Sequence, residues 1–507
     1  MSHFLRLTAL ALIWCKLRDG LRWIWNLLIS HQSPEQPIKS QSSFAWHQSP
    51  KKLWHIIQPQ SHFYRHFITN MMVGLGIVLL LFIFQDKPFL AGIEDEGIDK
   101  LMQIRQKIIP SLANKDIPPF VLLDIDDNTH KVWGTPMFTP RDQLLNLIKT
   151  AVQAKARLII VDIDLSQVIP MNGSTKERHP DDQALHKYFN NYATDCSFQN
   201  QAARSPIILV RVFQSISTSI DIVRPSFLDD AVEQSKPYVQ WASALFHQNY
   251  YDRMVRHWSL WQSACLDTQP IVIPSIELLA AALIRNGVSQ QAQLEQTLKP
   301  FQPQNCPSTP TTHLPPKQIQ IGNLTISSGL QGIKQRVMYS MPWLPHISNL
   351  SQAENKSALP YFLKDKTGKP ILSILPAHLY ASPSTASLEP LEGSIVIIGG
   401  SFKRGRDIYW TPLAEMPGAL ILINAIHTLL EYGEIQPLPT WIKALTYLIL
   451  IIFMSWVLAR FGYSQGSLIL GSFVIFILIP ISLFLFNYGI WLDFMLPLAV
   501  VMQLLPL

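Results

Sequence analysis

Residues 119–127 read PFVLLDIDD, an unbroken apolar run closed by Asp124, Asp126 and Asp127. Phe120 to Leu123 show no alternation of faces, so the run reads as a strand covered on both sides. Thr139-Pro140 comes next. Its hydroxyl suits a helix cap and its ring suits a first turn. Leu144, Leu145, Ile148, Ala151, Val152 and Ala156 then recur at helical spacing. Residues 157–164, RLIIVDID, repeat the opening pattern. Strand, helix, strand is a βαβ unit, whose two strands run parallel. The fold class expected is therefore α/β with a mostly parallel sheet. Pro206–Phe213 and Ser394–Gly399 are further strand candidates, Ile276–Ile284 and Met416–Tyr432 read as helices, and Pro300–Pro316 reads as an exposed loop.

Parallel strands bring their C-terminal ends to one edge of the sheet, and open α/β sheets take ligands at that edge. Asp124, Asp126, Asp127, Asp162 and Asp164 all fall there, and Asp407 joins them after Gly399-Gly400 if the fourth strand is also parallel. These are the candidate ligand-binding residues. Arg211 follows the third strand and needs a carboxylate partner; an edge aspartate is the expected one. A divalent cation is the one cofactor such an acid set suggests, with His130 a weaker further ligand than a solvated loop histidine. A plainer role, ending strands and capping loops, fits the same acids.

Asp-x-Asp after a buried strand also resembles the nucleophile loop of haloacid-dehalogenase-type phosphatases. Here Asn128 stands where that family has Thr or Val, and no convincing Lys and paired-Asp motif follows. No Ser/His/Asp order, no Gly-rich phosphate loop with Lys and no HExxH is present. The expectation is a protein that is not an enzyme.

Outside this body the chain is apolar. Residues 67–84, 441–458, 467–486 and 490–507 each approach the about 20 residues that a bilayer core requires. The last holds Asp493, Pro497 and Gln503. The body between them, residues 85–438, should carry the specific function. The formal charge of +6 does not mark nucleic-acid binding, because eight basic and two acidic residues precede residue 67 and the body is close to neutral. That basic flank places the N-terminus, residues 1–66, in the cytoplasm. Residues 4–29 mix Trp with basic side chains and read as an interfacial helix, followed by a Ser/Gln/Pro-rich linker at 30–50. The body then lies outside, in the periplasm of a bacterial cell, with both termini inside. Trp441, Tyr447, Tyr488 and Trp491 read as interfacial anchors, and Pro480 and Pro497 as kinks. Cys196, Cys265 and Cys306 fall in the body, so at most one internal bridge forms among them.

The order of these motifs carries a resemblance. The quoted residues are Asp124-Ile125-Asp126-Asp127, Thr139-Pro140-Arg141, Ala154-Lys155-Ala156-Arg157, Val161-Asp162-Ile163 and Tyr251-Asp252-Arg253-Met254-Val255-Arg256. A late block adds Gly393–Gly400, Asp407, Thr411-Pro412-Leu413, Met416-Pro417-Gly418 and Asn424-Ala425. Together they resemble the CHASE type-2 domain, a sensory module found outside the membrane in bacterial cyclases, histidine kinases, serine/threonine kinases and related receptors. The resemblance covers roughly Lys87 to the C-terminus, and its one helix before and three after the domain match the apolar segments. Where the family often has Val-Glu-Ile-His, this chain has Ala419-Leu420-Ile421-Leu422.

The resemblance implies a bacterial inner-membrane sensor of an unknown extracytoplasmic signal. Receptors of that family continue into a catalytic domain, whereas this sequence stops at Leu507. The expectation is a sensor without its own output, which relays to a cytoplasmic or membrane signalling protein in trans. Its partners would be the bilayer, a small extracellular ligand and a second copy in a homodimer. An envelope scaffold is the alternative, and a periplasmic phosphatase the third reading.

Overall fold

The computed structural model describes residues 62–84, 88–108, 117–170, 178–194, 204–214, 221–306, 318–321, 324–327, 333–343, 360–365, 367–382, 387–433, 436–437 and 439–492. Helix α1 (His62–Phe84) is followed by α2 (Pro88–Ile108), a helix that is not among the elements expected above. The body then runs β1 (Phe120–Ile125), α3 (Arg141–Gln153), β2 (Leu158–Val161), α4 (Pro180–Asn191), β3 (Ile207–Val210), α5 (Asp229–Gln234) and β4 (Val239–Ala242). After α6 (Ile276–Asn286) come β5 (Tyr361–Lys364), β6 (Pro370–Pro376), β7 (Ile395–Gly400) and α7 (Gly418–Tyr432). The segment between β4 and β5 also contributes small antiparallel strands, including Phe246–Gln248, Val255–Ser259 and Lys334–Arg336.

The seven strands form one sheet in the order β5-β6-β1-β7-β2-β3-β4. Every pair is parallel except the edge strand β5. The fourth strand of the sequence reading, β7, is inserted between β1 and β2 and pairs parallel with both. Alternate side chains divide the core in two. Val121, Leu123, Ile159 and Val161 meet α3, α4 and α5 on one face. Phe120, Leu122, Leu158 and Ile160 meet α2, α6 and α7 on the other. Helix α3 starts one residue later than its Thr-Pro signal suggests: Pro140 takes the cap position and makes no side-chain cap bond. Cys265 and Cys306 form a disulfide, and Cys196 lies outside the described residues.

A buried ion network fastens α2 to the body. Asp99 of α2 meets Arg256 at 2.8 Å and Arg336 at 3.0 Å; Arg256 also meets Asp252 at 2.8 Å, and Arg336 meets Asp95. This explains the Asp252…Arg256 spacing: a turn carries the chain back so that the carboxylate reaches the guanidinium. Lower on α2, Arg105 donates to the Tyr432 hydroxyl at 2.8 Å and to Asn487 Oδ1 at 2.9 Å.

The C-terminal apolar helix α8 (Thr440–Phe473) continues through a π-helical turn into Ile479–Phe486. Gly462, at φ +69°, breaks it. The two arms fold back on each other, since a Cβ on Gly466 would lie 3.4 Å from Leu458 Cα. Gln436–Pro437 and Ile490–Trp491 pair at the base, so the hairpin leaves and returns at the same place. Helix α1 packs along the first arm, with Gly74 pressed against Ile451. Two stretches, Phe63–Phe84 and Thr440–Phe486, are long and apolar enough to cross a membrane. The fourth apolar segment lies outside the described residues beyond Leu492.

Candidate functional site

Three adjacent strands end in a row at the C-terminal edge. Asp124 of β1 pairs with Gly399 of β7, and the β7–β2 register, Ile398 with Val161, puts Asp162 on the far side of Gly399. By alternation these three residues face α6 and α7. Gly399 is required by close approach: a Cβ there would lie 2.6 Å from the Ala419 Cβ in the first turn of α7. The start of α7 therefore sits over the row, between two carboxylates. Asp407 closes the group from the other side. Its backbone carbonyl accepts from Gly418 N–H at 3.0 Å, and a Cβ on Gly418 would meet its carboxylate oxygens at 2.6 and 2.7 Å.

Asp124 is fully buried. Its Oδ2 accepts from the Ser401 hydroxyl at 2.6 Å, and its Oδ1 has no hydrogen-bond partner. Burial pushes its pKa up to about 8, against the pull of Ser401. Burial raises Asp162 to about 8 as well, with the charge of Asp407 adding. Asp407 is raised by burial and held back by a hydrogen bond from Tyr409, whose own hydroxyl is pushed up to about 12. A fourth carboxyl was not among the sequence candidates. Glu277, in the first turn of α6, is completely buried, and neither of its oxygens has a partner in hydrogen-bond geometry. Burial raises it to about 8, tempered by its own N–H and the Ser275 hydroxyl nearby, with Asp162 adding. Its sequence signal was a lone acid in a helix that is otherwise apolar on every side from Ile276 to Ile284.

The edge therefore holds carboxyl groups that burial raises well above the usual carboxylate range. Neutral acids beside helix N-termini can donate hydrogen bonds, and they ionise when pH rises or when a cation arrives. The divalent-cation expectation finds no support in the arrangement, because no group of three or more His, Cys, Asp or Glu side chains among the described residues is placed to hold a metal.

The other candidates are drawn elsewhere. Asp126 caps the short helix Asp127–Val132, its Oδ1 accepting from Thr129 N–H at 2.7 Å. Asp127 accepts from Lys403 N–H at 3.1 Å. Asp164 is an exposed partner of Arg224 at 3.2 Å. Arg211 does not reach an edge aspartate: it pairs with Asp229 at 2.6 Å and lies over the Trp241 ring. One residue past Val210, it projects to the α5 side of the sheet, away from Asp124 and Asp162. His130 is not a solvated loop residue; it is buried and stacked on Phe402 at 4.6 Å.

The CHASE2 domain family model matches residues 75–459, which takes in the second half of α1, the whole body and most of the first arm of α8. The chain belongs to the CHASE2 family. No curated protein and no solved structure matches it. CHASE2 is a sensory domain family, so its members are read through what they detect and how they pass it on. In this CHASE2 chain the late block is now explicit: Gly399 admits α7, Asp407 accepts from its first N–H, and Asn424 bonds the segment beside it.

Proposed function

We propose that this chain is a membrane-anchored sensor whose body lies in the bacterial periplasm and whose membrane helices carry the signal to a cytoplasmic or membrane signalling partner. One observation carries the reading. Arg105 joins α2, the end of α7 and Asn487 at the base of the hairpin, so a shift of the body bears on α1 and α8 together. A ligand with different affinity for two arrangements of that junction would bias the helices. Supporting features are the basic flank before α1, the Cys265–Cys306 bond expected of an oxidising compartment, and exposed apolar side chains such as Leu79, Leu468 and Phe476 on the long helices. The reading includes a fourth membrane segment at 490–507, both termini in the cytoplasm, and a homodimer as the signalling unit. It includes no catalysis at the acidic edge, because Asp124 is sealed from solvent and its Oδ2 is committed to Ser401.

Reporter fusions within the body test the topology. A periplasmic reporter should be active and a cytoplasmic one silent; the reverse result removes the reading. Cross-linking of Gly74→Cys to Ile451→Cys in native membranes tests the coupling. Arg105→Leu should change its yield, and an unchanged yield would count against transmission through that junction.

A further inference from the structure

A cavity lies away from the acidic edge, beside the turn at Asn249–Met254. It encloses about 490 Å³, within the range of small-ligand sites. Its polar walls are His247, Gln248, Asn249, Arg256, His257 and Lys334, with Met254 as an apolar side, and among the described residues no Asp or Glu lines it. The strand registers produce this set: His247 pairs with His257, His257 with Arg336, and Lys334 with Ser259. Several donors there are unspent. Lys334 has no carboxylate partner, and the His257 ring makes no hydrogen bond among the described residues. The Asn249 carbonyl accepts from Tyr251 N–H at 2.9 Å, which leaves its amide donors for the cavity.

We propose that this cavity binds a small anion of the carboxylate or phosphate class, gripped by Lys334, His257 and the Asn249 amide, and that its capture is felt by α2 through Arg256. The Arg256 guanidinium forms part of the wall and also holds Asp99 of α2 at 2.8 Å and Asp252 at 2.8 Å. An anion in the cavity draws on the guanidinium that anchors α2. The local field agrees. Burial, with the charges of Arg336, Arg256 and His247 adding and only Asp95 opposing, lowers His257 to about 4. Burial and Lys334 lower His247 in the same way. A bound anion reverses that field and brings a proton onto the His257 ring, so binding strengthens as pH falls. The anion site stands on the cavity alone; its effect on α2 rests on the sensor reading above.

The test uses the full chain in lipid nanodiscs, titrated with sulfate as the tetrahedral oxyanion and with acetate as the carboxylate, whose own charges stay essentially constant between the two conditions, at about pH 6 and about pH 8. Calorimetry gives affinity, and amide hydrogen exchange follows α2. The expected result is saturable binding of at least one probe, tighter at the lower pH. Lys334→Ala, an exposed position, should weaken it about tenfold, and His257→Gln should remove its pH dependence. Asp124→Asn, at the other site, should leave it unchanged. No binding of either probe, or binding indifferent to Lys334→Ala, overturns the site. Binding with no change in α2 exchange upholds the site and overturns the coupling, while a failed topology test leaves the anion site standing.

Discussion

Asp124 is fully buried, next to Gly399 and bonded to Ser401, with its carboxyl raised to about 8. In the unfolded chain it titrates near 4. Between those values the folded state binds more protons than the unfolded state, so this group's contribution is complete below about pH 4 and is lost as pH rises through about 8. The loss is on the order of 5 kcal/mol for a fully buried group. Asp124→Asn keeps the shape and cannot ionise. Thermal unfolding should show the wild-type chain losing stability between about pH 5 and about pH 9, and the variant losing distinctly less. Equal slopes would mean that Asp124 is already ionised at neutral pH. His427 runs the other way. Burial beside Phe120, with the Arg105 charge adding, lowers it to about 4, so its neutral form favours the fold and that advantage is lost as pH falls from about 6.5 to about 4.

Helix α7 is positioned by what its first turn and one face allow. Gly399→Ala would bring a methyl group within 2.6 Å of the Ala419 Cβ. Neither β7 nor α7 has room to retreat, so the expected cost is about 1–3 kcal/mol, with altered tryptophan fluorescence from Trp410 as the helix start moves. Asn424 is the second fixture. It accepts from Ser340 N–H and Met341 N–H at 2.9 Å and donates to the Met341 and Leu420 carbonyls at 3.0 and 2.9 Å. Asn424→Ala strands the buried Met341 N–H and the half-buried Ser340 N–H and should cost about 2–4 kcal/mol by chemical denaturation. A loss below about 0.5 kcal/mol would mean that the 338–341 segment is held by its apolar contacts alone.

Over the whole molecule, two polar junctions hold α2: Arg256 and Arg336 of the body pair with its Asp95 and Asp99, and its Arg105 bonds Tyr432 of α7 and Asn487 at the base of the apolar hairpin. Arg256→Met removes one of two guanidinium partners of Asp99 and leaves a buried carboxylate half-compensated. The expected destabilisation is about 3 kcal/mol, with faster amide exchange in α2 and little change in β1 or β7. Uniform change across the body would instead place the network within the global folding unit.

The sequence by itself determined the elements whose cause is local. Four-residue apolar runs ending in acid, at Phe120–Leu123 and Leu158–Val161, become buried strands because such runs leave no polar face for water. Two long apolar stretches become helices long and apolar enough to cross a membrane, where backbone groups have to bond within the segment. Which acids would share a site was decided only by the tertiary structure. Asp126 and Asp127 lie within three residues of Asp124 along the chain, yet they turn to cap and bond loops. Glu277 lies far away in sequence yet feels the charge of Asp162, because α6 packs on the face of the sheet that β2 turns toward it. Insertion of β7 between β1 and β2 created that neighbourhood. Strand order depends on long-range packing, and a strand's own residues do not encode which strand will lie beside it.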